Sequence, residues 1–216
     1  TSGLSLVDNS GQASNYSIAS ASSDITQRPL NLSGSRAYDS TRTASGSDLS
    51  FTNIVSGETL GLTGSGVLDS PAAGSRTIVN INTLAISDGS GIATNYTLTN
   101  GTLTMTIVPR STTVSGTKTY DGTTNVASSN LTSFSNLAGS DTLSLSGTGT
   151  ISTADVGTGK TVNASGLTID NSSGVGSNYT LSAATVNVTE RVIGLSGVRA
   201  FDGTNNASST DLSISN

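Results

Sequence analysis

Lys118-Thr119-Tyr120-Asp121-Gly122-Thr123-Thr124 is written three times in this chain. Arg36-Ala37-Tyr38-Asp39-Ser40-Thr41 stands before it and Arg199-Ala200-Phe201-Asp202-Gly203-Thr204 after it, so the aspartates are 121−39 = 82 and 202−121 = 81 residues apart. A fixed period of this size marks a tandem array of small units, and function has to be read from the array. A second marker keeps the register: Asn15-Tyr16, Asn95-Tyr96 and Asn178-Tyr179 recur at 80 and 83 residues.

Cutting at Arg28, Arg110 and Arg191 divides the chain into four pieces. These are the C-terminal part of a preceding repeat (1–27), complete repeats at 28–109 and 110–190, and the N-terminal part of a following repeat (191–216). The chain is expected to be a piece of a longer array, so a missing signal peptide carries no information about location.

Composition narrows the function classes. Charged residues are 11% of the chain, the net charge is −5, and the nine Lys and Arg are scattered singly. Nucleic acid binding needs a clustered basic surface, and an anionic membrane asks for the same, so neither nucleic acid nor membrane insertion is expected. With no Cys and no His, disulfides and the usual zinc, copper and haem ligand sets are absent. Aromatic residues are 4% and apolar residues 33%, so each repeat must build a thin interior from Val, Leu, Ile and Ala.

Strand signals dominate. Leu143 and Leu145, Val162 and Ala164, Leu167 and Ile169, and Val186 and Val188 alternate with polar neighbours, the period of a half-buried strand. Gly and Asn/Asp/Ser clusters such as Asp170-Asn171-Ser172-Ser173-Gly174 separate them and supply turn conformations. No helical stripe with a cap is present. The expected fold is all-β: an elongated tandem array of β-sandwich, immunoglobulin-like modules of about 82 residues. The alternative is a β-grasp-like module with one short helix between Ser152 and Gly159. Asn100-Gly101 reads as a hairpin turn, because both residues tolerate the left-handed region.

Comparing copies is a built-in substitution test. Tyr38 and Tyr120 become Phe201, so the ring is common and the hydroxyl reads as dispensable, which suits a buried ring anchoring its own turn. Asp39, Asp121 and Asp202 persist, while Gly122 and Gly203 are matched by Ser40, as an Asx-type turn cap would require. Arg36, Lys118 and Arg199 share one register and keep charge without keeping identity, which argues for ion pairing and against a Lys–Asn isopeptide bond. The acid Glu58 likewise matches Asp141. Calcium is the one metal that oxygen ligands alone could hold, with Asp88, Asp170 and Asp121 as candidates, yet no calcium-binding loop pattern is present and no cofactor is expected. Without His, and with no Ser-x-x-Lys arrangement or singled-out pair of acids, an enzyme is not expected. The Asn-Tyr-Ser/Thr sequons at Asn15, Asn95 and Asn178 are candidate glycosylation sites, and each asparagine reads equally as a turn residue.

Four motifs in order carry a family resemblance. Lys118 to Thr124, then Gly139-Ser140-Asp141-Thr142-Leu143-Ser144-Leu145-Ser146-Gly147, Asp155-Val156-Gly157-Thr158-Gly159-Lys160-Thr161-Val162, and Ser177-Asn178-Tyr179-Thr180-Leu181 together resemble the YDG-type repeat of large bacterial surface adhesins. Such repeats occur in filamentous-haemagglutinin-like, two-partner-secreted exoproteins. Departures are Ser40 for glycine, Phe201 for tyrosine, and a looser third motif around Gly74 and Arg76. The resemblance implies a secreted, outer-membrane-associated stalk of a surface or biofilm adhesin, whose repeats hold a binding region away from the cell. Neighbouring repeats are then the partners, with host or matrix glycans met by other parts of the parent. The alternative is that each repeat binds glycan or host glycoprotein weakly and the array gains avidity. The scarcity of aromatic residues for sugar stacking favours the spacer.

Overall fold

The computed structural model describes residues 3–215 and is all-β; among them, helical turns are limited to three-residue 3-10 pieces. The first repeat supplies β1 (Arg28–Pro29), β2 (Leu32–Ala37), β3 (Thr43–Ser45), β4 (Leu49–Phe51), β5 (Leu60–Thr63), β6 (Ser65–Leu68), β7 (Gly74–Asn80), β8 (Ala85–Asp88), β9 (Tyr96–Thr97) and β10 (Thr104–Val108). The second supplies β11 (Arg110–Thr119), β12 (Asn125–Ala127), β13 (Leu131–Ser135), β14 (Leu143–Thr150), β15 (Gly157–Thr161), β16 (Leu167–Asn171) and β17 (Tyr179–Thr189). A last antiparallel pair, β18 (Gly194–Ser196) and β19 (Ser213–Ser215), follows.

Period-two alternation sets which side chains go inside. In β10, Met105 and Ile107 are buried between exposed Thr106 and Val108, and in β17, Ala184, Val186 and Val188 are buried between outward neighbours. The first long strand of each repeat runs parallel to its last. β2 pairs with β10, and β11 pairs with β17 from Arg110↔Tyr179 to Thr119↔Thr189. Parallel neighbours cannot be joined by a tight turn, and here the body of the repeat forms the crossover. Flanked by antiparallel partners, the two repeats share the order β4-β2-β10-β7 and β13-β11-β17-β15.

They differ beyond that ribbon. In the first repeat β6 pairs with β7, giving a six-stranded sheet in the order β3-β6-β7-β10-β2-β4 beside the pair β5-β8. In the second, β12-β14-β16 forms a separate three-stranded sheet, linked by the isolated bridge between Thr150 and Asn163.

Two expectations change. Asn100-Gly101 closes no hairpin, because β9 and β10 run in the same direction along β1 and β2. The stretch 96–108 is one strand path interrupted by inserted residues, and β17 is its continuous counterpart, carrying only a register shift opposite Thr112 and Thr113. No helix forms between Ser152 and Gly159, where the β-grasp alternative required one, and β15 begins within that stretch.

One apolar cluster gathers Leu30, Leu32, Leu68, Met105 and Ile107 of the first repeat and continues into Ala138 and Tyr179 of the second. A smaller one, with Val114, Val126, Leu131, Val186 and Val188, lies wholly within the second.

Candidate functional site at the junction between repeats

The recurrent turn is built the same way three times. Asp39, Asp121 and Asp202 each accept the backbone N–H and the hydroxyl of the threonine two residues on, at 2.8 to 2.9 Å. The residue between stands in the left-handed region, at φ 65° for Ser40, 76° for Gly122 and 86° for Gly203, which glycine adopts without strain. A cation three residues upstream pairs with each aspartate: Arg36, Lys118 (2.9 Å) and Arg199 (2.6 Å).

That cation also ties down the following loop. Lys118 Nζ donates to Thr123 O at 2.8 Å and to Asn125 O, and Arg36 donates from Nη2 to Thr41 O at 2.7 Å and from Nε to Thr43 O at 3.1 Å. Arginine and lysine exchange here because several carbonyls and one carboxylate accept from either head group. The Lys118 ammonium, with the Thr123 N–H next, lowers the Asp121 carboxyl to about 2. Arg199 lowers Asp202 in the same way. At Asp39 burial pushes upward, but Thr41 and Arg36 outweigh it and leave the carboxyl below its usual range.

The first turn projects its ring across the repeat boundary. The Tyr38 ring meets that of Tyr179 edge to face, with centroids 5.4 Å apart at 77°. The Tyr38 hydroxyl donates to Asp141 Oδ2 at 3.1 Å, and the Tyr179 hydroxyl donates to the same oxygen at 2.6 Å while accepting from the Ala138 N–H at 3.1 Å. Burial first, and the hydrogen bond to Asp141 second, raise both phenols, Tyr179 to about 12. Two contacts to backbone complete the junction. Arg110 Nη1 donates to Tyr38 O at 3.3 Å, and Ala73 N–H donates to Asn178 Oδ1 at 2.8 Å; within the first repeat, Tyr38 N–H donates to Val108 O at 2.9 Å.

This corrects the reading of the hydroxyl. Tyr38 is buried and its ring packs on Tyr179 of the next repeat, and its hydroxyl, read as dispensable, donates to Asp141. Tyr120 is partly exposed and Phe201 exposed, on turns of the same construction. Tyr96 repeats the acceptor side, its hydroxyl donating to Glu58, a bond that raises the phenol ahead of any effect of burial.

The calcium candidates are not assembled. Asp88 Oδ1 accepts the Ala93 N–H at 2.7 Å; Asp8 holds Ala13 likewise at 2.5 Å and Asn171 holds Gly176 at 2.7 Å. An amide does this work in the third copy, so the position asks for an oxygen and not a charge, and its third occupant is Asn171 in place of Asp170. Asp121 is engaged by Lys118 and Thr123. Among the described residues, no group of three or more His, Cys, Asp or Glu could hold a metal ion. Of the sequon asparagines, Asn15 and Asn95 are exposed, whereas Asn178 is buried against Ala73, so a glycan there is incompatible with this junction.

Sequence reading missed Asp141 and Ala138 as junction residues. The signal was present: Glu58 and Asp141 hold one register, each preceding an Asn-Tyr pair by 37 residues (95−58 and 178−141). What a matched acid and tyrosine touch is decided by which ends face each other, and spacing does not give that.

The family model for the YDG domain matches residues 26–105 and again residues 101–187. No curated protein and no solved structure matches the chain.

Proposed function

The chain belongs to the YDG domain family, in two successive copies, and from that premise we propose that it is a length of structural stalk in a large bacterial cell-surface or biofilm adhesin. Each copy is read as an immunoglobulin-like β-sandwich without catalysis or a ligand of its own, and its partners are the repeats on either side. The observation that carries this reading is the burial of Tyr38 of one repeat against Asp141 and Tyr179 of the next. A buried, hydrogen-bonded contact fixes the relative orientation of two domains where a bare linker would leave them free to move. Short links through Pro29 and Pro109 add stiffness at the boundaries. With each module spanning roughly 30 to 40 Å, a fixed angle between modules turns repeat number into reach.

Small-angle scattering of the chain, with calcium and with chelator, tests the reading. A particle with 28–190 as one stiff body, unchanged by chelator and silent on a glycan array, is expected. A freely hinged pair sinks the spacer, and glycan binding by the repeats replaces it with the avidity reading. Loosening only in chelator would restore a structural metal.

A further inference from the structure

The junction at Tyr38 is a template against which the outward end of the second repeat can be matched position by position. Tyr120 is the counterpart of Tyr38 and is 39% exposed where Tyr38 is 5% exposed. Val156 is the counterpart of Ala73 and is 51% exposed, where Ala73 is packed against the shared core. Tyr120 and Val156 line one surface depression with Asp121, Glu190, Arg191 and Ile193. The turn that presents Tyr120 is already held by Lys118 and Asp121, as Tyr38 is presented by Arg36 and Asp39.

The opposite end of the molecule shows the complementary half. Val55 occupies the place of Ala138 and is 44% exposed against 3%; Asn95, in the place of Asn178, is exposed. Glu58 receives the Tyr96 hydroxyl as Asp141 receives that of Tyr179. Arg28 Nε donates to Asn53 O as Arg110 Nε donates to Asn136 O, the anchorage from which Arg110 reaches the Tyr38 carbonyl. Every group of the junction is therefore present twice: the middle set is closed, while at the ends Tyr120, Val156, Val55 and Asn95 are exposed and Tyr96 is already buried, as Tyr179 is.

We propose that the Tyr120–Val156 face is the donor half of a second junction, and that it takes a further YDG repeat running on from Arg191, whose carboxylate and Asn-Tyr pair receive the Tyr120 hydroxyl and ring. The inference rests on the stacking reading above. It is supported by the segment after Glu190, which has already begun the same architecture. Residues 191–216 align with 28–53 without a gap (191−28 = 216−53 = 163), and Leu195↔Ile214 and Ser196↔Ser213 pair in the register of Leu32↔Phe51 and Ser33↔Ser50. Gly197 sits where a Cβ would fall 1.8 Å from Asp211 O, as one at Gly34 would fall 1.9 Å from Asp48 O, so the same close strand approach is in place. What completes an acceptor, in this alignment, is the counterpart of 54–109.

The experiment adds that counterpart. Residues 54–109 are appended after Asn216 of the full chain, bringing second copies of Val55, Glu58, Asn95 and Tyr96 into register with Tyr120. Tetranitromethane nitration mapped by mass spectrometry reads the exposure of each tyrosine. Nitration of Tyr120 is expected to slow by about eightfold, the ratio of 39% to 5% exposure, and to recover when the appended copies of Glu58 and Tyr96 are both changed to Ala. A second version, with residues 110–190 following Glu190, offers the acceptor set already seen in use, so that a misfolded hybrid is not mistaken for an open face. A third repeat shown by hydrogen exchange to be folded, above which Tyr120 keeps its reactivity, overturns the proposal. If 28–190 stays stiff by scattering in that case, the spacer reading stands without it; if 28–190 hinges freely, both fall together.

Discussion

Leu30, Leu32, Leu68, Met105 and Ile107 fill the interior of the first repeat, and that interior runs on into Ala138 and Tyr179 of the second. The second repeat's own interior is separate and built mostly from Val. Smaller side chains remove less apolar surface from water, at about 25 cal/mol per Å², so the second repeat has less stability in reserve. The difference teaches that a repeat of one family need not be self-sufficient to the same degree. The junction ties the poorer core to the richer one.

Tyr38→Ala cuts this tie most directly. Emptying a buried aromatic site costs about 3–5 kcal/mol, and the loss should appear in the denaturation of the second repeat, while the matched Tyr120→Ala changes stability by no more than about 0.5 kcal/mol. Equal effects from the two variants would show that the ring serves its own turn. Next come Leu49→Ala and Leu131→Ala, matched positions at the start of β4 and β13, each expected to cost about 2–5 kcal/mol. Leu131→Ala should split the melt into two transitions, and a single cooperative melt for both variants would mean that the two interiors act as one. Tyr38→Phe keeps the ring and removes one of the two hydroxyls on Asp141, for about 1.5 kcal/mol. A Phe variant as damaging as Ala would place the energy in the hydrogen bond and not in the packing.

Two pH titrations give smaller signals. Tyr179 is held protonated in the folded state, with its pKa raised from 10.0 to about 12. Its contribution is therefore complete below pH 10 and drains away as pH rises from about 10 to about 12. Tyrosinate absorbance and second-repeat unfolding should move together across that window, and ionisation at the ordinary value without loss of structure would contradict the shared Asp141 contact. At the acid end Asp121 is lowered from 3.8 to about 2. The stability it lends is complete above pH 3.8 and fades towards pH 2, so the amide of Thr123 should keep its exchange protection until that range is reached. Loss of protection near pH 4 would mean that Lys118 does not hold the carboxylate.

Much of the architecture is legible from local rules. The alternation in β17, the Asx capping by Asp121 and the glycine at 122 each follow from residues close in sequence, where period and turn chemistry act. The parallel pairing of β2 with β10 and of β11 with β17 is not local, since it joins residues about 70 positions apart (Arg110↔Tyr179 spans 69). Asn100-Gly101 misled because its left-handed propensity is real, with Asn100 at φ 63°, but the chain uses it to bulge one strand path and not to reverse it. The hydroxyl of Tyr38 was misjudged for a related reason. Phe201 shows that a copy can carry the motif without the hydroxyl, yet the use made of Tyr38 depends on Asp141, which is 103 residues away.

The parallel pairing also decides how a repeat answers a pull along the array. Tension enters the second repeat at Arg110, the start of β11, and leaves at Thr189, the end of β17. Because the two strands run side by side in the same direction, those points lie at opposite ends of the ladder, and the load falls on its hydrogen bonds in shear. They must yield together, whereas a hairpin pulled at its open end unzips one bond at a time. Extension of single molecules should therefore show each repeat giving way in one abrupt, high-force step, and gradual low-force peeling would contradict the ladder.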